Sequence, residues 1–251
     1  MAALPALPVV DPGFAAQVAR KVCSHLLRRI PSQCAICGAW PAERLCAGCV
    51  ARFAQPRARC LRCALPVPAD VHTCGACLRT PPLLDACHAA VDYGYPWAGV
   101  IADFKFRGDP GWAAALAGLL RATPGVEPAL DAADRVLPVP LARARLRERG
   151  FNQAALLAQQ LAAHKTDKHL LLRLRDTPAQ SSLPRHERLR NLQGAFAVEP
   201  LRAAGLAGQR VVLIDDVLTT GATLDAAAQA LRAAGAVHIT ALVLARTPAA
   251  R

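Results

Sequence analysis

Two groups of residues in this sequence have the types and spacing to do chemistry. One is Asp215-Asp216, followed by Thr219-Thr220-Gly221 and Thr223. Carboxylates accept hydrogen bonds from sugar hydroxyls or reach a Mg²⁺ ion through water, and threonine hydroxyls beside a permissive glycine can wrap a phosphate monoester. A lone Thr-Thr-Gly would read as an ordinary turn with a capping threonine. The other group is eight cysteines in four Cys-x-x-Cys pairs: Cys34/Cys37, Cys46/Cys49, Cys60/Cys63 and Cys74/Cys77, all within a 44-residue span. Each such turn places two thiolates on one ion, and two turns complete a closed tetrahedral set suited to structural Zn²⁺. Two sites are therefore expected, paired either sequentially into two short hairpins or interleaved. Iron–sulfur is a lesser alternative for the same donors.

Cations form a third set. Lys105 and Arg107 alternate with aromatics in Phe104-Lys-Phe-Arg-Gly-Asp109, a pattern that predicts two exposed cations on one edge anchored by Phe104 and Phe106. Arg143, Arg145, Arg147 and Arg149 are the densest basic cluster and read as an arginine loop just before a helix, suited to multidentate phosphate contact. Around the cysteines, Arg44, Arg52, Arg57, Arg59, Arg62 and Arg79 outnumber Glu43 and Asp70, as contact with nucleic-acid phosphates would require. The competing readings are a helix C-terminus carrying its expected cations for Lys105 and Arg107, a simple basic surface for the arginine loop, and a plain scaffold for the cysteine region.

The elements that must hold these residues follow from hydrophobic pattern. Val211–Ile214, three of its four residues β-branched, predicts a buried strand with the two aspartates at its end, and the Thr/Gly turn leads into a helix over Leu224–Ala234. A helix N-terminus at a strand's carboxyl end is an anion site. Strands are also expected at His88–Tyr93, Arg135–Pro140, Leu170–Leu174 and Val237–Arg246, with helices at Trp97–Phe106 and Ala154–His164. The polar run from Gln180-Ser-Ser through Arg185, Arg188 and Asn191 to Ala195-Phe196 reads as a loop able to close over a ligand. Phe14, Val18, Val22, Leu26 and Ile30 recur every fourth residue beside Arg20, Lys21, Arg28 and Arg29, predicting a basic amphipathic helix with Cys23 as a packing residue. The chain thus divides into a helical segment (1–30), a cysteine region (31–80) and, after the breaker Pro81-Pro82, an α/β domain with a parallel sheet (81–251).

Composition agrees. The 251 residues carry a net charge of +12, which favours a polyanionic partner. Mean hydropathy is +0.23. No apolar run nears the roughly eighteen residues needed to span a bilayer. Met1–Gly13 has no basic leader and is broken by Pro5, Pro8 and Asp11. Ten cysteines without a secretory leader point to metal in a reducing cytoplasm. No Gly-Lys-Ser/Thr loop or Gly-x-Gly-x-x-Gly fingerprint competes for the phosphate assignment.

The whole of Val211–Thr223 resembles the phosphoribosyl-pyrophosphate (PRPP) motif of type I phosphoribosyltransferases. The joint order of the paired Cys-x-x-Cys turns, Phe104–Asp109, Pro138-Val-Pro140, Arg145–Gln153, Gln180-Ser-Ser, Arg188, Asn191, Phe196 and that motif resembles the ComF family over roughly residues 33–247. The resemblance implies a type I phosphoribosyltransferase-like domain behind a double zinc ribbon. It assigns Asp215 and Asp216 to the ribose hydroxyls and to ordering Mg²⁺. It assigns Val217, Leu218, Thr219, Thr220, Gly221, Ala222 and Thr223 to PRPP, the last five of them to its 5′-phosphate, and Lys105, Arg107 and the four arginines to pyrophosphate or nucleic acid. It further implies single-stranded DNA as a partner and a role in DNA uptake at the cytoplasmic face of the membrane. The alternative is a salvage phosphoribosyltransferase acting on a small-molecule acceptor.

Overall fold

The computed structural model describes residues 32–175 and 194–248. The predicted helix at Phe14–Ile30, with Cys23, and the predicted lid residues from Gln180 to Asn191 lie outside the described residues. The chain divides after Cys46, and the larger unit, Ala47–Arg251, holds the sheet.

That unit is built on four parallel strands in the order β1, β6, β5, β2: β1 (Ala86–Asp92), β2 (Arg135–Pro138), β5 (Arg210–Leu218) and β6 (His238–Arg246). Val211–Ile214 and Ile239–Ala245 are near-continuous apolar runs, as a sheet covered on both faces demands. β3 (Leu171–Arg173) and β4 (Phe196–Val198) form a separate antiparallel pair. The sequence reads Ala195-Phe196 as loop; both are buried, and Phe196 belongs to β4.

The helices follow from their apolar spacing. In order they are α1 (Ala47–Phe53), α2 (Gly75–Arg79), α3 (Trp97–Phe106), α4 (Trp112–Arg121), α5 (Val126–Ala132), α6 (Arg143–Arg149), α7 (Gln153–Ala162) and α8 (Ala222–Ala233). On α8, Leu224, Ala227, Ala228 and Leu231 recur at helical spacing and are all buried. α7 buries Ala154, Leu157, Ala158 and Leu161 in the same way, and its N-cap Asn152 accepts from the Ala155 amide at 3.4 Å. Pro200–Leu206 is a 3₁₀ segment leading to β5.

α6 corrects the sequence reading, because Arg143–Arg149 is a helix rather than a loop. It buries no residue, so it carries no apolar stripe to read; good helix formers and the left-handed Gly150 (φ +78°) that closes it suffice. In a helix a spacing of two turns the side chains through about 200°, so Arg143 and Arg147 share one side while Arg145 and Arg149 share another.

Candidate functional site

β5 runs through both aspartates to Leu218, four residues beyond the apolar run, because β6 stays in register alongside it: Asp215 pairs with Val243, Val217 with Ala245 and Leu218 with Arg246. Successive strand residues face opposite sides of the sheet. The two carboxylates therefore diverge rather than stand as a pair. Asp215 lines a small cavity with residues 217–219 and 221–224, whereas Asp216 is not among the lining residues. Gly221, at φ +89°, is the N-cap of the twelve-residue α8 and turns the chain where a side chain would be strained. Thr219 is exposed at the rim. Thr220 is half-buried, its hydroxyl accepting from the Ala222 amide at 3.4 Å.

The electrostatics of the two aspartates also differ. Burial, then the charge of Asp216, push the Asp215 carboxyl up to about 7, against an Asp216 N–H bond and the cations Lys105 and Arg173. Asp216 faces α3, where Lys105 Nζ lies 2.8 Å from its Oδ1, and both side chains are mostly buried. Lys105 is thus an inward partner of Asp216, not one of two exposed cations. Arg107 does face solvent and pairs with Asp103 one turn back, at 3.1 Å. Phe104 is fully buried and anchors α3 as expected, but Phe106 is 66% exposed and lies outside the core. The helix has turned Lys105 inward and Phe106 outward, a placement that reading the segment as an alternating edge could not give.

α6 meets α3 through the same segment. The Arg149 guanidinium carbon lies 5.0 Å from the centre of the Phe106 ring, and Phe151 packs against Phe104 with ring centres 5.9 Å apart. Arg149 also donates to Gln153 Oε1 at 3.3 Å, and Gln153 is fully buried. Arg143 and Arg147 are exposed on the other side of α6. The Gly-Phe-Asn-Gln run also ties the start of α7 to the chain after β2: Asn152 caps α7 and donates to the Val139 carbonyl at 3.0 Å.

Eight thiols form two groups, Cys34/Cys37/Cys46/Cys49 and Cys60/Cys63/Cys74/Cys77, each with its sulfurs within 4.8 Å of one another. The pairing is sequential. Four thiolates at about 2.3 Å from a zinc ion have sulfur–sulfur edges of about 3.8 Å, and Cys37–Cys46 and Cys63–Cys74 are both 3.7 Å apart. Backbone amides approach the sulfurs, Cys46 N to Cys34 at 3.5 Å and Cys74 N to Cys60 at 3.3 Å. Burial raises the Cys34 and Cys60 thiols, but amide bonds outweigh it and leave them at about 6 and about 7, whereas burial pushes Cys63 up to about 11 and raises Cys77 as well. Both donor sets fit zinc.

The second hairpin is bonded directly to the sheet. Cys87 N donates to the Leu61 carbonyl at 2.7 Å, Arg59 pairs with Asp92 at 2.8 Å, and Arg57 pairs with the same carboxylate. Arg62 donates to the Asp85 carbonyl at 3.4 Å. Three of the arginines expected to face nucleic acid are thus engaged within the unit. Sequence reading missed Arg246, the last residue of β6, whose guanidinium reaches Cys63, Leu218 and Thr219. Its only sequence signal is a charge ending the apolar run Val243-Leu-Ala-Arg.

The phosphoribosyl transferase domain family matches residues 122–251, the span that carries β2, β5, α8 and β6. Over 235 residues the chain is 33% identical to DNA utilization protein YhgH of Escherichia coli strain K12, covering 87% of this chain and 98% of that one. It is 32% identical over 210 residues to Competence protein F of Haemophilus influenzae, covering 80% of this chain and 90% of that protein. It is 33% identical over 200 residues to Competence protein ComFC of Bacillus subtilis, covering 76% and 79%. The chain belongs to the ComF family. Its architecture is accordingly a phosphoribosyltransferase-like parallel sheet flanked by helices, preceded by cysteine hairpins of zinc-ribbon type. Among the described residues of this ComF-family chain no helix is long and apolar enough to cross a membrane.

Proposed function

We propose that this ComF-family protein binds PRPP with Mg²⁺ at the β5–α8 turn, carries Zn²⁺ in both cysteine tetrads, and handles single-stranded DNA on its basic face during DNA uptake at the cytoplasmic side of the membrane. The observation that carries this is the turn itself: a left-handed glycine at the N-terminus of a twelve-residue helix, with Asp215 facing the same small cavity. Free N–H groups and the helix dipole attract a phosphate monoester there. Asp215 supplies an oxygen donor for ribose hydroxyls or Mg²⁺, and Lys105, already beside Asp216, supplies a cation for the pyrophosphate. The names of the relatives, Competence protein F, Competence protein ComFC and DNA utilization protein YhgH, support the biological role.

Nucleic-acid contact draws on α6. Arg143 and Arg147 face outward, and Phe106 with Arg149 stacked on it offers the aromatic–guanidinium surface on which single-strand bases pile. The family match to a transferase domain favours a second reading, in which PRPP is turned over with a small-molecule acceptor. Displacement at C1 would then rely on positioning and on cations at the leaving pyrophosphate. Two assays separate the readings: pyrophosphate release from PRPP across an acceptor panel, and single-stranded DNA binding as a function of salt. Salt-sensitive DNA binding without release supports the binding protein. Release with an acceptor and no DNA binding supports the transferase.

A further inference from the structure

The Arg246 side chain joins the second cysteine hairpin to the phosphate turn. Nε donates to the Cys63 carbonyl at 3.0 Å, inside the Cys60-x-x-Cys63 knuckle. Nη1 shares its two hydrogens among the Leu218 carbonyl at 3.1 Å, the Thr219 carbonyl at 2.6 Å and Thr247 O at 2.7 Å and Oγ1 at 3.1 Å. The Thr247 amide donates to Leu218 O at 3.0 Å as well. A trans peptide unit is planar, with its C=O and N–H pointing opposite ways. Holding the Leu218 and Thr219 carbonyls against the guanidinium therefore turns the N–H groups of Thr219 and Thr220 away from it. In an isolated turn those two peptide planes would be free to rotate. Here they are clamped by charge-assisted bonds.

We infer that Arg246 is the positioning residue of the phosphate turn, aiming the Thr219 and Thr220 amides at the ligand, and that through it the metal-loaded Cys60–Cys77 hairpin braces the site. This rests on the proposed reading of the turn as a phosphate site. The ribbon then has a task beyond scaffolding or nucleic-acid contact. Metal in the Cys60/Cys63/Cys74/Cys77 set fixes the knuckle, the knuckle's Cys63 carbonyl fixes Arg246, and Arg246 fixes the turn. A second link runs the same way: Leu83, just after the hairpin, donates its amide to Asp225 Oδ1 at 3.3 Å in the first turn of α8. Because coupling between two binding sites is reciprocal, a phosphate ester in the turn must also hold the metal more tightly in the hairpin.

The test uses the full-length, zinc-loaded protein with ribose 5-phosphate as probe. Calorimetric affinity is measured for the wild type, Arg246→Gln and Arg246→Lys, beside zinc content and the thermal midpoint of each. The expected result is an affinity loss of about tenfold or more for Arg246→Gln at unchanged zinc content, partly restored by Arg246→Lys, whose single ammonium keeps the charge but cannot span Cys63 and the turn at once. Wild-type affinity in Arg246→Gln overturns the inference. No ribose 5-phosphate binding by the wild type overturns the site reading itself, and the inference with it. Should Arg246→Gln fail to fold, the reciprocal measurement on the wild type decides. Saturating ribose 5-phosphate should slow extraction of one of the two zinc ions by a chelator, and extraction at the same rate with and without it contradicts the coupling.

Discussion

At the scale of single residues, the two adjacent aspartates have different partners because a strand sends neighbours to opposite faces. Lys105 and Asp216 form a mostly buried ion pair. Removing one member of such a pair leaves an uncompensated charge, at a cost of about 3–5 kcal/mol, whereas replacing both by apolar groups is often nearly neutral. Lys105→Met should accordingly lower stability in urea titrations by that order, and Lys105→Met with Asp216→Leu should recover most of it. Asp215 has its carboxyl raised to about 7 from an ordinary 3.8. Between those values the folded protein holds a proton that the unfolded chain releases, so this residue favours folding in acid and the contribution is lost as pH rises through about 7. A ligand bound through the carboxylate must expel that proton. Affinity for Mg²⁺-PRPP should therefore rise up to about tenfold per pH unit below about 6.5 and flatten above about 7.5. Calorimetry across that range should show the slope in wild type and its loss in Asp215→Asn.

At the scale of elements, legibility followed apolar periodicity. Trp97–Phe106 was readable to the residue, and the strand–turn–helix of β5 and α8 by its run of Val and Ile, its glycine and its leucine spacing. Two of the misread elements show why the rest was not. The carboxyl end of β5 extends past its apolar run because β6 continues beside it, which is a tertiary cause invisible locally. α6 has no buried face, so nothing in its pattern distinguishes helix from loop. Its helical form has a consequence for DNA: only side chains on its outer side can reach phosphates together. Arg143→Gln with Arg147→Gln should reduce the slope of log affinity against log salt for single-stranded DNA by up to about 1.4, at about 0.7 for each phosphate left without its arginine. Arg145→Gln should change it less, as titrations at several salt concentrations would show.

At the scale of the whole molecule, the proposed site and its supports draw on residues far apart in sequence: Lys105 from α3, Asp215 and Asp216 from β5, and Arg246 from β6, with Cys63 behind it. The sequence marked the cysteine tetrads and the phosphate turn as separate features, since each is a local motif. Their connection through Arg246 was not readable, because only the parallel register brings Arg246 beside Leu218. Since the Cys60–Cys77 hairpin is bonded to β1 and β6, stripping zinc should do more than unravel a ribbon. Chelator treatment should lower the thermal unfolding midpoint of the sheet-bearing unit; a midpoint unmoved by complete zinc loss would mean that the hairpin contributes nothing to it.

PRPP binding at the β5–α8 turn is the central claim. Titration calorimetry of PRPP with Mg²⁺ into the full-length protein, repeated for Asp215→Asn and Gly221→Ala, tests that claim most directly. Saturable binding by the wild type, weakened at least about tenfold in each variant, is the predicted result; no binding by the wild type, or equal affinity in all three proteins, would contradict it.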